Sequence, residues 1–176
     1  IISMSADGNR LAIGAILNDG GGENSGHVRV HQWTGDTWTQ LGADLDGAVP
    51  FDFFGSAVSL SADGNRLVIG AYGAENNAGL VRVYEWTGTA WAQFGAGIVG
   101  EVEGDESGES ISLSSDGSRV AIGTFRNDGN GADSGHVRVF DLSMIRKSQI
   151  NAGMNDAWYN PETSGQGFFI NVFPDL

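Results

Sequence analysis

At 176 residues and 40% hydrophobic content, the chain is long enough to bury one packed core. Its net charge of −13 repels phosphate, which excludes nucleic acid as a partner, and no apolar run approaches the ~18 residues of a membrane span, which excludes membrane insertion. Cysteine is absent, so disulfides, thiol chemistry and Cys-based metal sites are excluded too.

The chain opens on Ile1-Ile2-Ser3-Met4-Ser5, which aligns with Ala57-Val58-Ser59-Leu60-Ser61 further along. It therefore starts inside a repeat, without initiator Met or export signal. The expectation is a fragment of a longer protein whose signal peptide lies outside it. Ser5-Ala6-Asp7-Gly8-Asn9-Arg10 returns at Ser61 to Arg66 and at Ser114 to Arg119, so Asp7, Asp63 and Asp116 stand 56 and 53 positions apart. Gly26-His27-Val28-Arg29-Val30 returns as Gly79-Leu80-Val81-Arg82-Val83 and Gly135-His136-Val137-Arg138-Val139. A constant period of this size marks a repeat architecture. It also supplies an internal control: a residue needed for chemistry should be peculiar to one copy, whereas one shared by all copies is scaffold.

The middle copy is complete. Ser56 to Ser61 alternates apolar and polar residues and predicts a half-buried strand. Ala62-Asp63-Gly64-Asn65 predicts a hairpin turn, since Asp-Gly tolerates positive φ. Leu67-Val68-Ile69 is apolar on both faces and predicts a strand covered on both sides. Tyr72 to Ala78 is a polar loop, Leu80 to Trp86 a third strand, and Trp91 to Ile98 a fourth beyond a Thr-Gly turn. An acidic connection, Val99 to Ser107, leads into the next copy.

Four antiparallel strands per ~53 residues is the pattern of a β-propeller blade. The predicted fold is all-β: an incomplete arc of just under three blades, with a C-terminal β-hairpin fragment. Residues 1–142 form the blades, with 1–53 a partial first blade, 54–106 the complete blade and 107–142 a partial third. Residues 143–152 read as a linker and 153–176 as the start of a separate β module. Within it, Asn160-Pro161 starts a turn and Phe168 to Phe173 reads as an apolar strand.

Phe54-Gly55-Ser56-Ala57-Val58, then Val68-Ile69-Gly70-Ala71 and Gly79-Leu80-Val81-Arg82-Val83-Tyr84, resembles the FG-GAP repeat of integrin alpha-subunit propellers and their bacterial relatives. The resemblance covers residues 1–142 and implies a propeller module. One departure is that Phe54-Gly55 becomes Ser107-Gly108 at the next junction. The calcium loop common in that family is not carried over, because Ala62 to Asn65 is too short to wrap an ion seeking six to eight oxygens. Trp158-Tyr159-Asn160-Pro161 to Gly167-Phe168 resembles a motif of secreted bacterial proteins.

The search for chemistry leaves few candidates. His27 and His136 share a slot that holds Leu80 in the middle copy, and His31 aligns with Tyr84 and Phe140, so the histidines read as structural. Gly95-Ala96-Gly97-Ile98-Val99-Gly100 matches a dinucleotide fingerprint in letters only, because no helix pattern follows it. Trp33/Trp38 and Trp86/Trp91 read as cross-strand packing pairs. The loops before the third strand vary most in length, and such variation maps to the binding face of a repeat protein. They nominate Asn18, Asn24, Asn76, Asn77 and Asn127 as ligand-loop residues. Asp128, Asn130 and Asp133, with Asp19 and Glu23, are the metal candidates; calcium is the ion they would take, and no other cofactor is expected.

The function that follows is a non-enzymatic repeat module for recognition or adhesion, extracellular or at a bacterial cell surface, with a protein or glycan ligand. Two alternatives stand beside it. One is a segment of a carbohydrate-active enzyme using acidic loop residues such as Glu101 to Glu109; the other is a calcium-stabilised structural repeat. An open arc has unpaired strand edges, so self-association is expected as well.

Overall fold

A computed structural model describes residues 1–142 and the strand 170–173. The first sheet holds β1 (Ile2–Met4), β2 (Arg10–Ala15), β3 (His27–Trp33), β4 (Trp38–Gln40) and β5 (Leu45–Asp46). The second holds β6 (Ala57–Leu60), β7 (Arg66–Ala71), β8 (Leu80–Trp86), β9 (Trp91–Gln93) and β10 (Ile98–Val99), with a single turn α1 (Ala74–Asn77) between β7 and β8. The third holds β11 (Ser110–Leu113), β12 (Arg119–Thr124) and β13 (His136–Asp141). Strands up to this point pair antiparallel, in chain order except that β5 returns to β3 and β10 to β8, in the propeller-like arrangement that the repeat predicts.

Register repeats with the sequence. Val28, Val81 and Val137 lie opposite Gly14, Gly70 and Gly123 in their respective sheets. The fourth strand departs from its expected form. Where one run from Trp91 to Ile98 was predicted, β9 and β10 pair separately with β8. The break falls at Gly95, whose φ of 74° leaves the extended region.

A last strand, β14 (Ile170–Phe173), runs parallel to β13 on the third sheet. The linker, the expected turn at Asn160-Pro161 and most of the proposed C-terminal module fall outside the described residues.

The core lies between sheets. Leu67 and Ile69 point into a cluster with Val28, Val30, Phe54 and Val58, between the first and second sheets. Val68, between them in sequence, points the other way to Val81, Val120, Ile122 and Leu142. The stretch predicted to be covered on both faces is so covered: all three side chains are fully buried.

Contacts between blades are also repeated. The Ala6 N–H donates to Ala62 O at 2.9 Å, and the Ala62 N–H to Ser115 O at 2.8 Å. Arg10 donates to Gly64 O at 2.9 Å, and Arg66 to Gly117 O at 2.7 Å. These arginines thus clasp the turn of the following blade. A Cβ on Gly14 would meet Gly55 O at 2.2 Å, and one on Gly70 would meet Gly108 O at 2.0 Å. At Gly14 and Gly70, a glycine position shared by the copies, the backbones of adjacent blades touch. On the outer face of the first sheet, Ile2 and Met4 are 71% and 53% exposed, in the positions of the buried Val58 and Leu60.

Candidate functional site

The two ends of the sheets differ in chemistry. At one end lie the short turns of the Asp-Gly and Thr-Gly type. In each copy the Ser5, Ser61 or Ser114 hydroxyl donates to the aspartate two residues on, at 2.6 Å. This bond, helped by the backbone N–H of the residue after glycine, holds the Asp7 and Asp116 carboxyls down at about 2 and lowers Asp63 as well. Positive φ at these turns falls on glycines alone: Gly8, Gly64 and Gly117, with Gly35 and Gly88.

At the other end lie the variable loops and the blade-to-blade connections, stitched together by backbone bonds such as Phe51 N–H to Glu23 O (2.8 Å) and Glu106 N–H to Asn77 O (2.8 Å). Every non-glycine residue with positive φ among the described residues lies there: Asn24, Phe51, Phe53, Glu75, Asn76, Asn77, Glu106 and Asp133. The left-handed region costs an L-residue roughly 1–2 kcal/mol, less for asparagine. Within α1, Glu75, Asn76 and Asn77 occupy it in succession (φ 53°, 57° and 63°).

Phe51 and Phe53 are the most informative of these. One period later the same positions are Gly104 and Glu106, also at positive φ (89° and 56°). The backbone is the same in both junctions, and one of them sets an aromatic ring where the other has glycine. Phe53 stacks on Tyr72 at 5.0 Å between ring centroids, and Phe51 lies 6.4 Å from Phe53. Phe51 remains 48% exposed. The result is a strained aromatic shelf on the rim, with Asn24 and the exposed Asn76 and Asn77 in the loops that flank it.

The nominated loop residues divide. Asn24, Asn76 and Asn77 are on the strained rim. Asn18 and Asn127 brace their own loops, accepting from the Gly20 and Gly129 N–H at 2.8 and 3.0 Å. Asn127 is buried and also donates to Asp105 at 2.9 Å. Asp19 and Asp128 accept from the Asn24 and Asp133 N–H, both at 2.8 Å. Glu23, Asn130 and Asp133 are exposed. The acidic run is largely engaged: Asp105 is buried against Asn127, Glu106 pairs with Arg126 at 2.8 Å, and Glu101 with Arg138 at 3.3 Å.

A further cluster lies where the sequence, taken one position at a time, shows only a structural histidine, His27. β3 and β5 pair antiparallel with His27 opposite Asp46. Side chains two apart share a face, so Asp44 joins them. His27 Nδ1 stands 3.9 Å from Asp44 Oδ2 and 3.9 Å from Asp46 Oδ1. Among the described residues this is the one group of three His, Asp or Glu ligands whose atoms converge, all within 4.8 Å of one another. Asp44 also takes a bidentate grip from Arg29 (2.7 Å) and a bond from Gln40 (2.7 Å), which hold its carboxyl at about 2. The aligned trio in the second copy is Leu80, Gly97 and Val99. Reading the three positions together, as one set peculiar to the first copy, would have found it.

Comparison with known proteins gives the frame for these sites. No curated protein matches the chain in sequence. Among solved structures it is similar to a proposed 6-phosphogluconolactonase from Bacteroides uniformis, at 12% identity and a TM-score of 0.55, over 80% of this chain and 35% of that one. It is also similar to TolB from Acinetobacter baumannii, at 14% identity and a TM-score of 0.46, over 82% of this chain and 30% of that one. The chain thus spans about a third of the length of these structures, and the likeness to the first shows a shared fold alone. The stretch from Ala43 to Tyr84, which contains the Phe54-Gly55 junction and the aromatic shelf, matches the family model described as the FG-GAP repeat; the chain carries an FG-GAP repeat in a propeller-like, all-β fold.

Proposed function

We propose that this propeller-like repeat module is a non-enzymatic recognition element, extracellular or at a bacterial surface, that takes its ligand on the loop rim. The observation that carries this reading is the placement of Phe51 in a left-handed slot that the equivalent junction fills with Gly104. Strain of this kind persists where the surroundings over-determine it, and it clusters at binding sites. An exposed, rigid ring beside asparagine amides suits a glycan: the ring offers a flat face to sugar C–H groups, and the amides both donate and accept. The scaffold beneath supports binding over catalysis. Its repeated carboxylates, Asp7, Asp63 and Asp116, are held below the usual range, the opposite of what a general acid requires.

The test is Phe51→Gly, with Glu75→Gly as a companion. Glu75→Gly relieves left-handed strain and should raise thermal stability by about 1 kcal/mol, whereas Phe51→Gly relieves the same strain but loses its partial burial and its contact with Phe53, so its net change should be close to zero. On a glycan array, the wild-type chain should give hits that Phe51→Gly abolishes. Hits that survive Phe51→Gly, or an array with none, would overturn the reading.

A further inference from the structure

We infer that His27, Asp44 and Asp46 form a divalent transition-metal site of the zinc type, which among the described residues is built into the first copy of the repeat alone. This inference stands apart from glycan recognition and does not depend on it.

Geometry comes first. The β3–β5 register sets one imidazole and two carboxylates on one face, with His27 Nδ1 equidistant, at 3.9 Å, from an oxygen of each. Tetrahedral zinc with ligand bonds of about 2.0–2.1 Å wants its ligand atoms ~3.4 Å apart. Adjustments of about half an ångström at His27, and of up to ~1.4 Å between the two carboxylates, therefore close the site around an ion, leaving a fourth position for water.

The second observation is the histidine itself. Its side chain is only 8% exposed and is aimed at both carboxylates, yet the separations are too long for hydrogen bonds. An imidazole aimed at two acids across 3.9 Å, at ion-pair distance but short of a hydrogen bond to either, leaves space between them for a cation. Two carboxylates within 4.8 Å of one another also repel, and Arg29 pairs with only one of them.

The third observation comes from the other copies. Arg29 recurs as Arg82, where the residue aligned with Asp44 is Gly97 and no acid stands opposite; there the guanidinium lies 5.8 Å from the Phe54 ring. The need to pair the repeated arginine therefore does not account for the acids. In the second copy all three ligands are replaced together, and Leu80 fills the space beside Gly97, where a Cβ would meet it at 2.4 Å. The third copy keeps the histidine, with one carboxylate, Glu101, at 3.7 Å.

The ligand set selects the ion. Imidazole with carboxylates suits Zn²⁺ and its neighbours, whereas Ca²⁺ and Mg²⁺ prefer oxygen alone. Arg29 and Gln40 serve as the outer shell that fixes Asp44. Bound metal would join the base of the 18–26 loop to the strand that leads into the aromatic shelf.

The experiment titrates the full 176-residue chain, freed of metal, with Zn²⁺ against a chromophoric chelator, and repeats it with Co²⁺ for its visible absorption. One equivalent should bind, with a Co²⁺ spectrum of low coordination number, and millimolar Ca²⁺ should not displace it. His27→Ala, which avoids setting a leucine against Asp44, and Asp46→Val, which installs the residue of the second copy, should each weaken binding at least ~10-fold, and Asp46→Val should do so without lowering the metal-free melting temperature. Absence of stoichiometric binding, or affinity unchanged in both variants, would overturn the assignment.

Discussion

Trp38 and Trp91 allow the energy of contact between blades to be separated from packing within one. Each faces a second tryptophan across a Thr-Gly turn, with ring centroids 5.6 Å apart for Trp33/Trp38 and 5.5 Å for Trp86/Trp91. Their surroundings differ. Trp38 is 38% exposed, while Trp91 is 9% exposed and its Nε1–H donates to Leu41 O of the preceding blade at 3.0 Å. The rings of Trp86 and Trp91 also lie against Gly42, where a Cβ would come within 3.1 and 3.0 Å of them. Trp91→Ala removes a buried ring and leaves a cavity, which costs about 3–5 kcal/mol. Trp38→Ala loses the aromatic pair and partial burial, about 1–2 kcal/mol. Trp91→Phe, keeping bulk but leaving Leu41 O without its donor, should cost about 1–2 kcal/mol. Urea unfolding followed by far-ultraviolet circular dichroism measures all three. Equal losses for Trp38→Ala and Trp91→Ala would refute the docking of the second blade on the first.

Further outcomes follow from the same structure. Gly70→Ala would drive a Cβ to 2.0 Å from Gly108 O, so it should cost more than ~3 kcal/mol, whereas Gly35→Ala, with nothing within 4 Å and φ +105°, should cost about 1 kcal/mol; comparison of melting temperatures checks this. The turn aspartates have folded pKa values below their unfolded ones, so their stabilisation is complete above about pH 4 and is lost as pH falls through about 2. An acid titration in which Asp7→Asn together with Asp116→Asn leaves the midpoint unmoved would contradict that. Ile2 and Met4, exposed in a blade-facing position, should drive association of copies; Ile2→Ser with Met4→Ser should shift sedimentation toward monomer, and an unchanged distribution would remove the idea.

Much of the fold was legible because the copies repeat. The hairpin at Asp63-Gly64 and the doubly covered Leu67-Val68-Ile69 follow from local pattern alone. The split of the fourth strand did not, since Gly95 and Gly97 resemble ordinary turn residues until β8 fixes where pairing resumes. The repeated arginines look like solvent-side strand positions in sequence; only the arrangement of neighbouring blades shows Arg10 and Arg66 reaching the next turn. The candidate sites were hidden for a different reason. Phe51 and Phe53 look like the start of an apolar segment, and their significance lies in φ, which sequence does not print. His27, Asp44 and Asp46 are 17 and 19 positions apart and meet only through the β3–β5 register.

The most direct test of the stacked-blade account is the backbone bond between blades. Through-hydrogen-bond couplings measured by NMR on the labelled chain should connect the Ala6 amide to the Ala62 carbonyl and the Ala62 amide to the Ser115 carbonyl, spans of 56 and 53 residues. Observation of both couplings, with slow exchange of the Ala62 amide, is the predicted result. Their absence, with Ala62 exchanging as fast as an open loop, would contradict the account.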